Sequence, residues 1–287
     1  MKKVYILYNP KAGKGTGETE TKKLDSVMNE YELIYQDITK IESYADFVSK
    51  IEKDSIIVVS GGDGTLSRFA TDINGLSFDN PVFYYATGSG NDFLKDLGYI
   101  KGEKPFPINE YITSLPVINV GGKELAFING VGGGLDAYAC VEGNKAHAKG
   151  KKGNYVLSAI KGILYDYKPM NATVSVDGKE YTFKNVWFAS AMRGRYFGGG
   201  IMLAPEQDRT KDTLSVVVVH RVSRLRLLPI IPGAFEGKHV KYKQYVTVIQ
   251  GNDINVTFDR PVPLQVDGET LPETNSFGVI LKNKVLK

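Results

Sequence analysis

Apolar positions along the first third of the chain follow two periods. Short runs rich in β-branched and aromatic residues at 3–8, 32–36, 56–59 and 82–85 predict buried strands. Between them apolar residues recur at helical spacing: Leu24, Val27, Met28 and Tyr31, then Tyr44, Phe47, Val48 and Ile51, then Leu66, Phe69, Ala70 and Ile73. Such βαβ repetition closes right-handed into a parallel sheet whose ligands lie at the carboxyl ends of the strands. After about residue 116 the helical period mostly disappears. Strand-like runs follow at 124–130, 173–176, 181–190, 214–220, 245–250 and 255–259, the pattern of an antiparallel domain. Asp177-Gly178, between two alternating runs, predicts a type I′ hairpin, because both central residues of that turn need positive φ. One helix interrupts at 155–167, with Val156, Ala159, Ile160, Ile163 and Leu164 on one face, which suits packing on the β domain better than membrane insertion. The expected architecture is α/β: a Rossmann-like parallel-sheet domain over 1–116, then an antiparallel β-sandwich-like domain over 117–276.

The length of 287 residues suits two domains better than one. Cys140, the single cysteine, excludes an internal disulfide and favours a reducing, cytoplasmic setting. The opening MKKVYILYNP has too short an apolar run for a signal peptide, and no stretch approaches the roughly 18 apolar residues of a membrane span. Any contact with a bilayer is therefore expected to be peripheral, at its inner face. A net charge of +4 is too mild to announce a nucleic-acid partner. Its distribution matters more. Lys145, Lys149, Lys151, Lys152 and Lys161 form one basic cluster, and His220, Arg221, Arg224 and Arg226 a second. These either meet an anionic bilayer surface or are ordinary solvated loops. The oligomeric state is left open, a homodimer included.

Three loops follow predicted strands: Asn9-Pro10-Lys11-Ala12-Gly13, Gly61-Gly62-Asp63-Gly64-Thr65, and Thr87-Gly88-Ser89-Gly90-Asn91-Asp92. All should converge on one sheet edge. Glycine lets backbone N–H groups approach an anion closely, and a helix starting just after adds the positive end of its dipole, so phosphate is the natural guest. Asp63 and Asp92 would repel a bare phosphate. Their presence calls for a Mg²⁺ bridge, or for a hydrogen bond to a ribose or to backbone. Gly13-Lys14 is not a Walker A loop, since Tyr8 stands at the upstream glycine position and Gly15 at the Ser/Thr position. Nor is either glycine cluster a dinucleotide fingerprint, since Phe93 and Glu18 fall where a small residue is required.

In order and spacing the three loops resemble the nucleotide-binding motifs of the diacylglycerol kinase catalytic domain, shared with sphingosine kinases and bacterial lipid kinases. The resemblance continues through Gly198-Gly199-Gly200 and Ala204-Pro205 to Gln265-Val266-Asp267-Gly268-Glu269, and so covers nearly the whole chain. It implies ATP and Mg²⁺ as cofactors, a first domain that binds ATP, a β domain for a membrane lipid, and a last strand at 277–282 that returns to the first domain, extending it by 277–287. Asn9, Pro10, Lys11, Ala12, Gly13, Gly62, Asp63, Gly64, Thr65, Leu66, Ser67 and Ser89 resemble the family's ATP contacts, with Thr39 a looser match. Asp92 sits where the family has an acid near Mg²⁺, and Asp212 at a structural Mg²⁺ position. Asp267 and Glu269 match the acidic pair near the acceptor hydroxyl, one of them the general base. Two apart on a strand end, they would face one cleft.

The chain departs from the family pattern in places. Ala86-Thr87-Gly88-Ser89 replaces Pro-x-Gly-Thr but keeps a hydroxyl; Leu94-Lys95 replaces Ala-Arg but keeps a charge; Asp212-Thr213 lacks the usual glycine. The expected reaction is transfer of the ATP γ-phosphoryl to a lipid hydroxyl, diacylglycerol foremost. The alternatives are an NAD kinase-like enzyme, which shares Gly-Gly-Asp-Gly-Thr but neither of the other loops, and a non-catalytic lipid-binding protein of the same fold.

Overall fold

A computed structural model describes residues 1–120, 122–148 and 155–281, which fall into two compact units meeting in sequence between Leu115 and Pro116. The first unit holds strands β1 (Lys3–Tyr8), β2 (Glu32–Asp37), β3 (Ile56–Gly61), β4 (Val82–Ala86) and the short β5 (Phe106–Pro107), in the order β2-β1-β3-β4-β5. The first four are parallel, and β5 runs antiparallel to β4. Every residue of β3 is buried, as a central parallel strand covered on both faces must be. The chain passes from β1 to β2 on one side and to β3 on the other, so the strand order switches direction between β1 and β3. The crevice outside such a switch point is where open α/β sheets take their ligands.

The second unit is built from β6 (Pro116–Val120), β7 (Lys123–Ala126), β8 (Gly130–Gly134), β9 (Met170–Val176), β10 (Lys179–Met192), a small ribbon β11 (Tyr196–Phe197) and β12 (Ile201–Met202), then β13 (Leu214–His220), β14 (Val246–Gly251), β15 (Asp253–Val266) and β16 (Glu269–Leu281). All its ladders are antiparallel, and nine of these strands make one sheet. Its middle row is shared. β8 pairs with Phe188–Met192 of β10 and with Leu264–Val266 of β15, while β9 pairs with the other half of each long strand. β8 and β9 thus lie end to end, and the chain leaves the row between them, with helical segments at 135–148 and 155–166. Phe127, Trp187, Val217, Leu264 and Phe277 belong to one buried cluster that joins strands from across the sheet.

Two expectations need correction. Residues 277–281 stay in the second sheet, where Gly278–Leu281 pair with Pro116–Asn119, rather than returning to the first unit; residues 282–287 lie outside the described part. The predicted 155–167 helix is an α-helix over Tyr155–Lys161 that widens into a π turn at Gly162–Asp166. A 14-residue helix at Leu135–Ala148, not expected from the sequence, precedes it. The Asp177-Gly178 turn has φ of 49° and 81°, as the hairpin reading required.

Candidate active site

The three glycine-rich loops are welded to one another. Asn9 Nδ2 donates to Thr65 Oγ1 at 2.9 Å, and its Oδ1 accepts from Lys11 N at 3.0 Å, which ties the first loop to the second. The second and third loops meet backbone to backbone. A Cβ on Gly88 would lie 2.4 Å from Gly62 Cα, a separation no side chain allows, so glycine here is a packing requirement. Thr87 N and Gly88 N both donate to Gly61 O, at 2.8 and 3.2 Å, and Tyr84 OH, fully buried, donates to the same carbonyl at 3.1 Å. Burial holds the Tyr84 phenol well above its ordinary pKa, so it remains a donor. At the tip, Ser89 and Gly90 are exposed.

Asp63 has a definite partner. Its Oδ2 accepts from Asp92 N at 2.8 Å and its Oδ1 from Phe93 N at 2.9 Å. The carboxylate therefore holds the start of the helix Asp92–Asp96 and so the exit of the third loop, the backbone bond foreseen as one explanation for an acid among phosphate-binding glycines. Asp92 itself is buried. Asn91 enters that helix with φ 54° and donates from Nδ2 to Gly88 O at 2.9 Å. Lys101 completes the loop, with Nζ donating to Gly88 O at 2.6 Å and Thr87 O at 3.3 Å.

In the second unit, Asp267-Gly268 is a two-residue turn with φ of 46° and 87°, joining β15 to β16 through the pair Val266–Glu269. Asp267 therefore lies in the hairpin turn and Glu269 just after it, instead of both sharing one strand end, and their surroundings differ. Asp267 Oδ2 accepts from Ile128 N at 2.7 Å, and its Oδ1 from Asn129 N and Gly130 N, both at 2.9 Å. The buried Arg209 donates to Ile128 O and Asn129 Oδ1 of the same segment, which is thus gripped from both sides. Glu269 is exposed at the start of β16. Behind the turn, Gly268 N donates to Gln265 Oε1 at 2.9 Å.

Residues 3–114 match the family model described as the diacylglycerol kinase catalytic domain, and residues 129–281, more than half the chain, that of the YegS C-terminal NAD kinase beta sandwich-like domain. The chain belongs to the family of that second model, and its residues 3–114 match the diacylglycerol kinase catalytic domain. It is 24% identical to a diacylglycerol kinase of Bacillus subtilis, across 94% of this chain and 90% of the relative. It is also 24% identical to a diacylglycerol kinase of Mycobacterium tuberculosis, over 67% of this chain and 63% of that protein. In fold it is similar to a Bacillus anthracis diacylglycerol kinase crystal structure, with a TM-score of 0.68 at 21% identity, covering 100% of this chain and 98% of the other. The chain is accordingly a lipid kinase of the diacylglycerol kinase type, and a kinase takes a nucleotide substrate.

Within the family frame the expected nucleotide residues divide. Asn9 to Gly13, Gly62 to Thr65, Ser89 and Asp92 belong to the welded loops. Ser67 sits on the second turn of the helix Asp63–Asp72, half-buried. Leu66 turns its fully buried side chain into the core, and its N–H bonds Gly62 O, so it supplies packing rather than ligand-facing surface. Thr39 bonds Asp37 Oδ1 through both N–H and hydroxyl, at 2.9 and 2.7 Å. Burial works to raise the Asp37 pKa, but those two bonds together with the charges of Lys40 and Lys11 outweigh it, and the carboxyl stays below its usual range. Tyr84, Lys101 and Arg209 were not anticipated, and Asn91 only as a member of the third loop.

Magnesium finds no assembled site on these side chains. Asp63 has both oxygens on backbone N–H groups. Asp212 is exposed in a bend that Arg193 holds through Lys211 O and Thr213 O, and its charge acts on that guanidinium. Among the described residues no three His, Cys, Asp or Glu side chains are placed to share a metal ion. Mg²⁺ keeps several waters and needs only one or two carboxylates beside phosphate oxygens, so at Asp212 water or phosphate oxygens would have to complete its octahedral shell.

Proposed function

We propose that the chain transfers the γ-phosphoryl group of ATP to the hydroxyl of a membrane lipid, with diacylglycerol as the first candidate and phosphatidic acid as its product. The observation that carries the assignment of roles is the contrast within the Asp-Gly-Glu turn. Asp267 is bound by three backbone N–H groups and shapes the loop at 128–130, whereas Glu269 is exposed and is the carboxylate able to accept a proton. In the step proposed, the acceptor oxygen bonds to Pγ while the Pγ–O bond to ADP breaks, and the hydroxyl proton passes to a Glu269 oxygen. Backbone N–H groups of the first unit's glycine loops stabilise charge on the transferring group. A loose transition state leaves the nucleophile little deprotonated, so Glu269 acts largely by orienting it. Any Mg²⁺ enters with the nucleotide's phosphates. The test is incubation with labelled ATP, a total lipid extract and NAD, with the product identified by mass spectrometry. A phosphorylated lipid is expected; labelled NADP in place of lipid phosphate would favour the NAD kinase-like reading, and no transfer at all the non-catalytic one.

The proposal needs a surface that meets lipid. Among the described residues no helix is long and apolar enough to cross a membrane. The basic clusters expected to dock are differently disposed. His220 is buried against Thr247, Arg224 donates to the carbonyls of Gly162, Ile163 and Tyr167, Lys145 pairs with Glu142, and Lys149, Lys151 and Lys152 lie outside the described residues. The Arg224 bonds instead hold the 224–227 helix against the π turn, and in these two segments Leu164, Tyr165 and Leu225 are exposed, as are Lys161, Lys168, Arg221 and Arg226, with Lys161 paired to Asp166. Exposed apolar side chains on segments that also carry cations suit an anionic interface, to which each free basic residue contributes about 1 kcal/mol. Replacing Leu164, Tyr165 and Leu225 together by Ser is expected to weaken co-sedimentation with phosphatidylglycerol vesicles about tenfold, roughly 1.4 kcal/mol, with nucleotide binding unchanged. Unaltered sedimentation would remove this surface from the membrane contact.

A further inference from the structure

Asp136 is the second residue of the helix Leu135–Ala148 and is buried, 8% exposed. Its place is prepared by a missing side chain. In the second sheet Gly132 on β8 stands directly between Ser190 on β10 and Gln265 on β15. A Cβ on Gly132 would lie 1.9 Å from Asp136 Oδ2, so the carboxylate occupies the hole that glycine leaves in the rung. From there Oδ2 accepts from Ser190 Oγ at 2.8 Å and from Gln265 Nε2 at 3.4 Å. The other end of Gln265, itself fully buried, accepts from Gly268 N, inside the turn that carries Glu269.

We propose that Asp136 is a positioning residue for phosphoryl transfer, holding the Asp-Gly-Glu turn, and Glu269 with it, through Gln265. The proposal rests on the lipid-kinase reading above and adds a second carboxylate to it, one that touches neither substrate nor nucleotide. Two features here disfavour the fold locally. A central strand gives up a side chain at Gly132, and a buried carboxyl keeps its Oδ1 without a hydrogen-bond partner. Packing alone rewards neither. Ionising Asp136 strengthens its bonds to Ser190 and Gln265 at a cost in fold stability, because hydrogen bonds to a charged acceptor are roughly twice as strong as neutral ones, and Gln265 in turn holds the Gly268 amide of the turn.

Burial lifts the Asp136 pKa to about 6, against the opposing hydrogen bonds from Ser190, the Ala137 backbone and Gln265. The groups around it add no competing charge near neutrality. Cys140, one turn along the helix, has its thiol pushed up to about 12 by burial, Tyr167 has its phenol raised for the same reason, and Ser190 and Gln265 do not titrate. Among the described residues no lysine or arginine pairs with Asp136. The hold on Gln265 therefore strengthens as the carboxyl ionises through about pH 6. For stability the sign is opposite. A raised carboxyl pKa means that the folded state binds the extra proton, so stability falls as pH rises from the ordinary carboxyl range through about 6 and the deficit persists above it.

The experiment compares wild type with Asp136→Asn, which keeps shape and loses charge. Expected is a kcat lower by tenfold or more at pH 7.5 with the KM for ATP unchanged, and loss of the acid limb near pH 6. In a Glu269→Gln background the same change is expected to lower kcat no further, because the group being positioned is already gone. The melting temperature of Asp136→Asn relative to wild type should move upward between pH 4 and pH 8. A readout independent of activity is the Gly268 amide resonance in protein with isotope-labelled glycine: it should titrate near pH 6 in wild type and stay flat in Asp136→Asn. Equal losses of kcat in both backgrounds, a wild-type kcat in Asp136→Asn, or a Gly268 resonance indifferent to pH would each overturn the positioning role. If wild type phosphorylates no lipid, the kinase reading fails instead, and the resonance still decides whether Asp136 holds the turn.

Discussion

Replacing Glu269 by Gln is expected to lower turnover by roughly 10²–10⁴ while leaving ATP affinity and thermal stability close to wild type. The side chain is exposed and the substitution preserves its shape, so little beyond proton acceptance is lost. Asp267→Asn should behave in the opposite way. Asparagine tolerates the φ of 46°, but its amide group would face one or more of the N–H donors of Ile128, Asn129 and Gly130. A buried donor left without an acceptor costs about 1–3 kcal/mol, so the variant should melt earlier, with turnover lost only as that segment loosens. Calorimetric nucleotide binding together with melting curves separates the two. If Glu269→Gln loses ATP binding in proportion to turnover, it belongs to the nucleotide site; if Asp267→Asn melts as wild type but is inactive, the roles are reversed.

The strands of the first unit were readable because central parallel strands appear as unbroken apolar runs; Ile56–Gly61 is buried at every position. The glycine loops were readable too, since they follow those strands without a gap. The helix Leu135–Ala148 was not. It is buried on most sides at Leu135, Asp136, Ala137, Ala139, Cys140 and Gly143, and so has no apolar stripe of period 3.6 to announce it. Nor could any local pattern reveal that β8 and β9 share one row, because the pairing runs through β10 and β15. The acids illustrate the same limit. Residue type marked Asp63, Asp267 and Glu269 as notable, but what each does depends on partners far along the chain: Phe93 is 30 residues from Asp63, and Ile128 is 139 from Asp267. Asp136 had a local signal, an acid two residues past the glycine run Gly132–Gly134 in an apolar stretch, whose meaning appears only once Ser190 and Gln265 stand on either side of Gly132.

Asp63→Ala is expected to weaken nucleotide binding about 10²-fold and, unlike Glu269→Gln, to lower the melting temperature by several degrees. The carboxylate receives the N–H groups of both Asp92 and Phe93, so its removal leaves two donors at the start of the Asp92–Asp96 helix without an acceptor. At about 1–3 kcal/mol each, moderated where water can reach them, the loss amounts to roughly 2–4 kcal/mol. The damage falls on the nucleotide loops because that helix anchors the third loop, whose Gly88 already touches Gly62 and leaves no slack for a shift. Asp63→Asn retains one acceptor and should lie between the two. The order wild type, Asn, Ala in both melting temperature and nucleotide affinity is what a backbone anchor predicts. A metal ligand predicts something else: Asp63→Ala would melt with wild type and lose affinity only when Mg²⁺ accompanies the nucleotide. Calorimetric titration with ATP, with and without Mg²⁺, distinguishes them, and a magnesium-dependent loss at unchanged melting temperature would move Asp63 from the scaffold of the loops to their ligand.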